Sequence, residues 1–228
     1  MIKVIFFDWG YTFTKGFKNR DKVLDKVLKP LGLNWQQLYP YWGQFYILRS
    51  YGKLKSDNEF EVLMQNTLKK QIPLKKIIEI INKSRLIPKE HIELVKKLKE
   101  DYKVGLLTNN VKEWVEQTLK EERIENLFDA LVISSEVGIR KPNALIYHEA
   151  LRRFSAKPEE AVFISDEVAD DLVGAAGLGI KTIWLKTEFK GWWRQDDEKV
   201  LKIYKPDAII HNLKEVAPVI KNLEKHGN

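Results

Sequence analysis

The run Ile2-Lys3-Val4-Ile5-Phe6-Phe7-Asp8-Trp9-Gly10-Tyr11-Thr12 decides how the rest of the chain is read. Its first part has the length and the apolar residue types of a buried β-strand, and it stops abruptly at an aspartate, a glycine and a threonine. In an open parallel sheet, ligands meet the protein outside the carboxyl ends of the strands. A strand ending at Asp8 therefore delivers a carboxylate to that rim, where a nucleophile is useful.

Working outward, the periodicity after Thr12 becomes helical. Val23, Leu24, Val27 and Leu28 form one apolar stripe, and Phe60, Leu63, Met64 and Leu68 form another. Pro30-Leu31-Gly32, Tyr51-Gly52 and Ile72-Pro73 read as helix ends. From Pro88 onward, helices alternate with strand-length apolar runs at Val104–Leu107, Ala130–Ile133, Ala161–Ile164, Thr182–Leu185 and Ala208–Ile210. Alternation of this kind implies α/β architecture: a doubly wound, Rossmann-like parallel sheet with helices on both faces. The expected division is a core of residues 1–14 and 87–228 with an all-helical cap domain, residues 15–86, inserted after the first strand.

Composition narrows the class. With 228 residues, 44% of them hydrophobic, the chain is long enough for a sizeable core. It has no cysteine, which excludes disulfides and thiolate metal sites. No apolar run reaches bilayer-spanning length and no leader precedes the first strand, so a cytoplasmic, non-membrane protein is expected. The net charge of +7 comes from lysines interspersed with acids, as around Lys96, Lys97 and Glu100, the pattern of solvated helix faces. No nucleic-acid recognition signature accompanies it. The positive balance fits attraction of anionic substrates instead, and abundant Lys and Glu with only 2 Met suits a thermophile. A monomer or homodimer is expected.

Four strand ends carry polar groups: Asp8; Thr108 in Thr108-Asn109-Asn110; Lys141 in Gly138-Ile139-Arg140-Lys141-Pro142; and Ser165-Asp166-Glu167, followed by Asp170 and Asp171. A carboxylate attacking phosphorus splits a hard hydrolysis into two displacements, and Asp8 is the candidate. That attack sets two anions against each other unless cations intervene. Lys141 supplies one positive charge, and the Thr108 hydroxyl is a donor for a transferring oxygen. Taken singly, each residue also has an ordinary role, as strand-end turn aspartates, a helix N-cap threonine or a solvated lysine. The combination in this order is what carries the reading.

That order, with the small-residue run Gly174-Ala175-Ala176-Gly177 behind it, resembles the four motifs of the haloacid dehalogenase superfamily over essentially the whole chain, insert included. The resemblance implies a phosphatase acting on a small phosphorylated molecule through an aspartyl-phosphate on Asp8. It implies Mg²⁺ held by Asp8, Asp166 and the Gly10 carbonyl, whose oxygen donors suit that ion. It also implies support from Asn109 and from one of Asp170 and Asp171, with Asp170 slightly favoured for metal contact. Glu167 is expected to be solvated.

One departure matters. Phosphatases of this family place a second aspartate two residues after the nucleophile, as the acid that protonates the leaving alkoxide; here that position is Gly10. Weak activity on alkyl phosphates is expected, with better activity where the leaving group needs no proton. The same departure raises an alternative, a metal-independent 2-haloacid dehalogenase, although Asp166-Glu167 stands where those enzymes carry Ser-Ser-Asn. A further alternative is a catalytically weak binding protein. Trp42, Tyr46 and Arg49 fall on one helical face and are candidates for contacting an anionic substrate. The competing reading, which the pattern favours, makes Trp35, Tyr39, Trp42, Phe45 and Tyr46 the insert's own core. Gly191-Trp192-Trp193 is expected to lie in a late loop, with one tryptophan meeting the cap or a second subunit, or with simple surface packing as an equal alternative.

Overall fold

The computed structural model describes residues 1–17, 19–187 and 197–225; the Gly191-Trp192-Trp193 expectation lies outside the described residues. Six strands form one parallel sheet: β1 (Val4–Phe7), β4 (Lys103–Thr108), β5 (Ala130–Ile133), β6 (Ala161–Ser165), β7 (Lys181–Leu185) and β8 (Ala208–Ile210). Their order across the sheet is β5-β4-β1-β6-β7-β8. Consecutive strands first run outward from β1 to one side, and the chain then crosses back to add β6 on the other. The switch point therefore lies between β1 and β6, where a crevice opens at the carboxyl ends.

The sheet is covered on both faces, and β1 shows why its sequence is a continuous apolar run rather than an alternating one. Ile5 and Phe7 enter a core shared with Val95, Leu98, Val115, Leu119, Phe128 and Ile220. Val4 and Phe6 enter the opposite core with Ile146, Tyr147, Leu151, Phe163 and Ala175. Successive strand residues point to opposite faces, so both sets must be apolar. The first core is closed by α5 (Lys89–Leu98), α6 (Lys112–Glu121) and α11 (Val216–Lys225), the second by α8 (Ala144–Arg153) and α9 (Val173–Ala176). Gly105 is dictated by this packing: a Cβ there meets the Phe6 and Phe154 rings at 2.8 and 2.9 Å.

Between β1 and β4 the chain leaves through β2 (Lys15–Phe17) and returns through β3 (Arg85–Leu86), which pair antiparallel. Neither has a periodic signal, and both are missed from sequence because two or three residues are too few to show one. The segment they bracket holds α1 (Arg20–Leu28), α2 (Trp35–Ser50), α3 (Asp57–Leu68) and α4 (Leu74–Ser84). The expected breaks fall at its helix ends: Gly32 (φ +67°) and Gly52 (φ +65°) take left-handed conformations that favour glycine, and Pro73 precedes α4. Leu24, Leu28, Trp35, Trp42, Phe60, Met64, Ile77 and Ile81 form a separate core, completed by Val111 and Trp114 from the sheet domain. Val23, expected in the first apolar stripe, is instead exposed. Among the described residues no helix is long and apolar enough to cross a membrane.

Candidate active site

After β1 the backbone makes one wide turn over Trp9–Phe13. Phe13 N–H donates to the Asp8 carbonyl (3.1 Å) and Thr14 N–H to the Trp9 carbonyl (2.8 Å). Trp9, buried, stacks on Phe13 with ring centroids 5.8 Å apart, and the Thr14 hydroxyl also donates to the Trp9 carbonyl. Buried His91 from α5 places Nδ1 2.7 Å from the Phe13 carbonyl. Tyr11, at φ 57°, is held in the left-handed region that non-glycine residues rarely adopt. The loop presenting Asp8 is thus pinned at several points.

Asp166 follows β6, the strand beside β1. The Thr12 hydroxyl donates to Asp166 Oδ1 at 2.6 Å and accepts from Asp166 N–H at 2.9 Å. This reciprocal pair ties the two acidic strand ends together across the switch point. Sequence reading noted Thr12 as part of the first motif without seeing this function.

Lys141 lies behind Asp8, and its side chain is buried. Its Nζ donates to Asp8 Oδ1 (2.7 Å), Asp171 Oδ2 (2.6 Å) and the Leu107 carbonyl (3.2 Å). All three ammonium protons are therefore used. Burial pulls the Lys141 pKa down, but Asp171 and Asp8 outweigh it and hold it above the ordinary lysine value. Burial also pushes the Asp171 carboxyl up to about 6, against the opposing pull of Lys141. Asp171 Oδ2 accepts a further hydrogen bond from the Ser165 hydroxyl at 2.5 Å, and the Asp171 carbonyl accepts one from Tyr147 at 2.7 Å. Gly174 makes room for that tyrosine, since a Cβ there meets its ring and hydroxyl at 2.8 Å.

Asn109 clamps the Lys141 backbone, accepting from its N–H (2.8 Å) and donating to its carbonyl (3.1 Å). Buried Thr108 ends β4, and its hydroxyl makes no hydrogen bond among the described residues. Of the two trailing acids, Asp171 takes the place beside Lys141, whereas Asp170 is exposed. Glu167 is half-buried rather than solvated. Burial, with Asp171 and Asp8 adding, raises its pKa well above the ordinary carboxylate value. Asp197 was not singled out from sequence; it accepts from the Val168 and Ala169 N–H groups at 3.0 and 2.7 Å and so shapes the loop after Asp166.

The insert contributes less than its helical face implies. Trp42 is buried among Trp35, Phe60 and Trp114, with centroids 5.2–5.8 Å away, as the core reading has it. Arg49 is buried too, and all its nitrogens are committed: Nε to Asp57, Nη1 to the Leu54 carbonyl, Nη2 to Glu113. It braces the insert against α6, with each guanidinium nitrogen held by a protein acceptor. Tyr46 does reach the rim, donating to the Asn109 carbonyl at 2.9 Å. Burial raises its pKa, and Arg140, Arg85, Asp8 and Glu167 all act on it.

A doubly wound sheet with aspartates on the two strand ends at its switch point, one tied to a buried lysine, defines a hydrolase of the haloacid dehalogenase type. The chain belongs to that family: its model, described as haloacid dehalogenase-like hydrolase, matches residues 41–185. A relative from Methanothermobacter thermautotrophicus, named glyceraldehyde 3-phosphate phosphatase, is 30% identical over 87% of this chain and 92% of its own. One of the same name from Pyrococcus furiosus is 36% identical, but the match covers only 45% of this chain and 42% of that protein. A solved 2-haloacid dehalogenase from Pseudomonas syringae superimposes with a TM-score of 0.70 at 20% identity, covering 97% and 99% of the two chains, which speaks to the fold.

Proposed function

We propose that the chain is a Mg²⁺-dependent phosphatase acting on a small phosphorylated molecule through an aspartyl-phosphate on Asp8. The observation that carries this is the pairing of strand ends: Asp8 held by a fully bonded Lys141 ammonium, and Asp166 locked alongside by Thr12. Relatives named phosphatases favour phosphoryl transfer over dehalogenation. The acidic Asp166-Glu167 pair does so as well, because it repels the carboxylate of a 2-haloacid.

The donor set fits Mg²⁺. Among the described residues no three His, Asp or Glu side chains converge into a metal cage. Mg²⁺ asks for less, keeping several waters and taking one or two carboxylates together with substrate oxygens. Asp8, Asp166 and the Gly10 carbonyl are the oxygens to hold it. Asp8 leaves one carboxylate oxygen without a hydrogen-bond partner among the described residues. Bound there, the ion neutralises the repulsion between nucleophile and phosphate.

In the first displacement an Asp8 oxygen bonds to phosphorus as the bond to the leaving oxygen breaks. In the second, water attacks phosphorus, the Asp8 oxygen–phosphorus bond breaks, and phosphate leaves with the carboxylate restored. Lys141 orients Asp8 throughout and, fixed by Asp171 and Asn109, needs no rearrangement as charge moves. Thr108 donates to an equatorial phosphoryl oxygen. Gly10 offers no proton, so the leaving group departs as an anion. The insert, residues 15–86, acts as a cap over the rim, and Tyr46 on Asn109 is the contact that supports this.

The test is hydrolysis of 4-nitrophenyl phosphate with Mg²⁺ and with chelator, beside halide release from 2-chloropropionate without metal. Metal-dependent phosphate release that Asp8→Asn abolishes is expected. Halide release without metal refutes the proposal.

A further inference from the structure

The insert meets the sheet domain at the two segments that carry Asn109 and Lys141. Tyr46 and Ser50 stand one turn apart on α2 and so share a helical face. The Tyr46 hydroxyl donates to the Asn109 carbonyl at 2.9 Å, and the buried Ser50 hydroxyl accepts from the guanidinium of Arg140, the residue before Lys141. Ser50 spends its own proton on the Ile47 carbonyl at 3.0 Å, which leaves its oxygen as the acceptor. One face of α2 therefore touches both sides of the Asn109–Lys141 clamp.

The neighbours of Asn109 are held from within the sheet domain. Thr108 is paired with Ile133 in the sheet. The Asn110 N–H donates to the Ser134 hydroxyl at 3.0 Å, and the Asn110 carbonyl accepts from the Ser135 N–H at 3.2 Å. Asn109, between them, gives its carbonyl to a residue 63 positions away in the insert. The tyrosine that reaches it is aimed by packing: its ring stacks on Trp114 with centroids 5.9 Å apart and planes at 23°, and Trp114 Nε1 donates to Asp57 of α3 at 3.0 Å. A continuous line of hydrogen bonds then runs from insert to nucleophile. It passes from Tyr46 to Asn109, from the Asn109 side chain to the Lys141 N–H and carbonyl at 2.8 and 3.1 Å, and from Lys141 Nζ to Asp8 at 2.7 Å.

We infer that Tyr46 is a positioning residue: its hydroxyl, acting through Asn109, sets the Lys141 backbone and thereby the ammonium that orients Asp8. The inference rests on the phosphatase reading and adds a residue of the insert to its machinery. The single phenolic proton goes to the protein, so Tyr46 serves the reaction without donating to the substrate. Asp171 and the Leu107 carbonyl also hold Lys141 Nζ, so the contribution is one of alignment and its size is modest.

Tyr46→Phe keeps the ring on Trp114 and removes only the donor. On 4-nitrophenyl phosphate with Mg²⁺, kcat should fall about 3–10-fold, the scale of one neutral hydrogen bond, with KM within about twofold. Asn109→Ala should also lower kcat, and Tyr46→Phe added to it should cost nothing more, because the line to Lys141 is already cut. Amide hydrogen exchange followed by NMR reads the same coupling without turnover. The Lys141 N–H should exchange about 3–10-fold faster in Tyr46→Phe, while amides within α3 keep their rates. A raised KM with kcat intact makes Tyr46 a substrate contact and overturns the inference. Additive losses in the double variant, or unchanged exchange at Lys141, overturn it as well, even where the wild type hydrolyses the ester and the phosphatase reading stands. If the wild type leaves the ester intact but Lys141 exchange quickens in Tyr46→Phe, the phosphatase reading fails and the coupling of insert to lysine survives.

Discussion

Gly10→Asp isolates the missing acid. Gly10 sits at φ −73° and ψ 126°, open to any L-residue, and a Cβ there meets nothing within 4 Å. The Cβ therefore enters vacant space without displacing the backbone. A positioned general acid contributes 10²–10⁴-fold, or about 3–5 kcal/mol of barrier. In a loop not shaped around it the lower end is expected, about 10²-fold in kcat/KM on glycerol 3-phosphate. On 4-nitrophenyl phosphate, whose leaving group needs no proton, the change should stay within about threefold. The new carboxylate also joins an acidic group that already holds Asp8, Asp171 and Glu167 near Lys141. At about 6 Å and an effective dielectric of about 20, each like-charge contact costs about 3 kcal/mol. Without Mg²⁺ the variant should melt below the wild type, and Mg²⁺ should raise its Tm by more. Steady-state kinetics on both esters, with thermal melts in Mg²⁺ and in chelator, give the answer. An equal rise on both esters, or none on the alkyl ester in a folded variant whose Tm responds to Mg²⁺, refutes the assignment of the deficit to position 10.

Thr12→Val keeps shape and removes the hydroxyl that both gives to and takes from Asp166. The Mg²⁺ concentration for half-maximal activity should rise about 10–100-fold, as for other partners that orient metal ligands; an unchanged titration counts against Asp166 as a ligand. Arg49→Met should cost about 1–3 kcal/mol of stability in urea unfolding and move KM by less than about threefold, because the guanidinium braces Asp57 and Glu113. A tenfold KM change at full stability would return Arg49 to the substrate. His91 is buried, and burial holds its pKa below 6.5, only partly offset by the Phe13 carbonyl. Between that depressed pKa and about 6.5 the unfolded chain binds the extra proton. Stability therefore rises with pH across this window, with a limiting slope of about 1.4 kcal/mol per pH unit. Urea midpoints at several pH values should show a shallower rise in His91→Gln; identical slopes would refute the assignment.

The fold was legible because β1 and its neighbours are buried on both faces, so their apolar runs carry no competing signal. The grouping of candidate residues was legible to the level of residue type: Asp8 and Asp166 directly follow strands, and Lys141, in the loop before α8, reaches Asp8 with its side chain. What spacing could not resolve was which way each side chain turns. Asp170 and Asp171 are adjacent in sequence, yet only the second faces inward, to Lys141 and Ser165. Glu167 reads as solvated beside other charges, but the return of the chain at Asp197 folds its loop inward. Arg49 falls on a helical face with Tyr46, and only tertiary partners, Asp57 and Glu113, show that it is used up inside.

Glycine at position 10 has an energetic consequence for the proposed mechanism: it removes a contribution made at the leaving oxygen. In that mechanism the remaining source of acceleration is binding energy on a part of the substrate that does not react. Binding energy gathered at such a distance accelerates chemistry only if it is realised in the transition state, by holding the phosphoryl group in line with Asp8 and excluding alternatives. Lys141, already fixed by three acceptors, makes that alignment sharp, because the nucleophile cannot drift to follow a misplaced phosphate. In the proposed mechanism, a rigid nucleophile without an acid therefore selects for a substrate that is anchored at its other end.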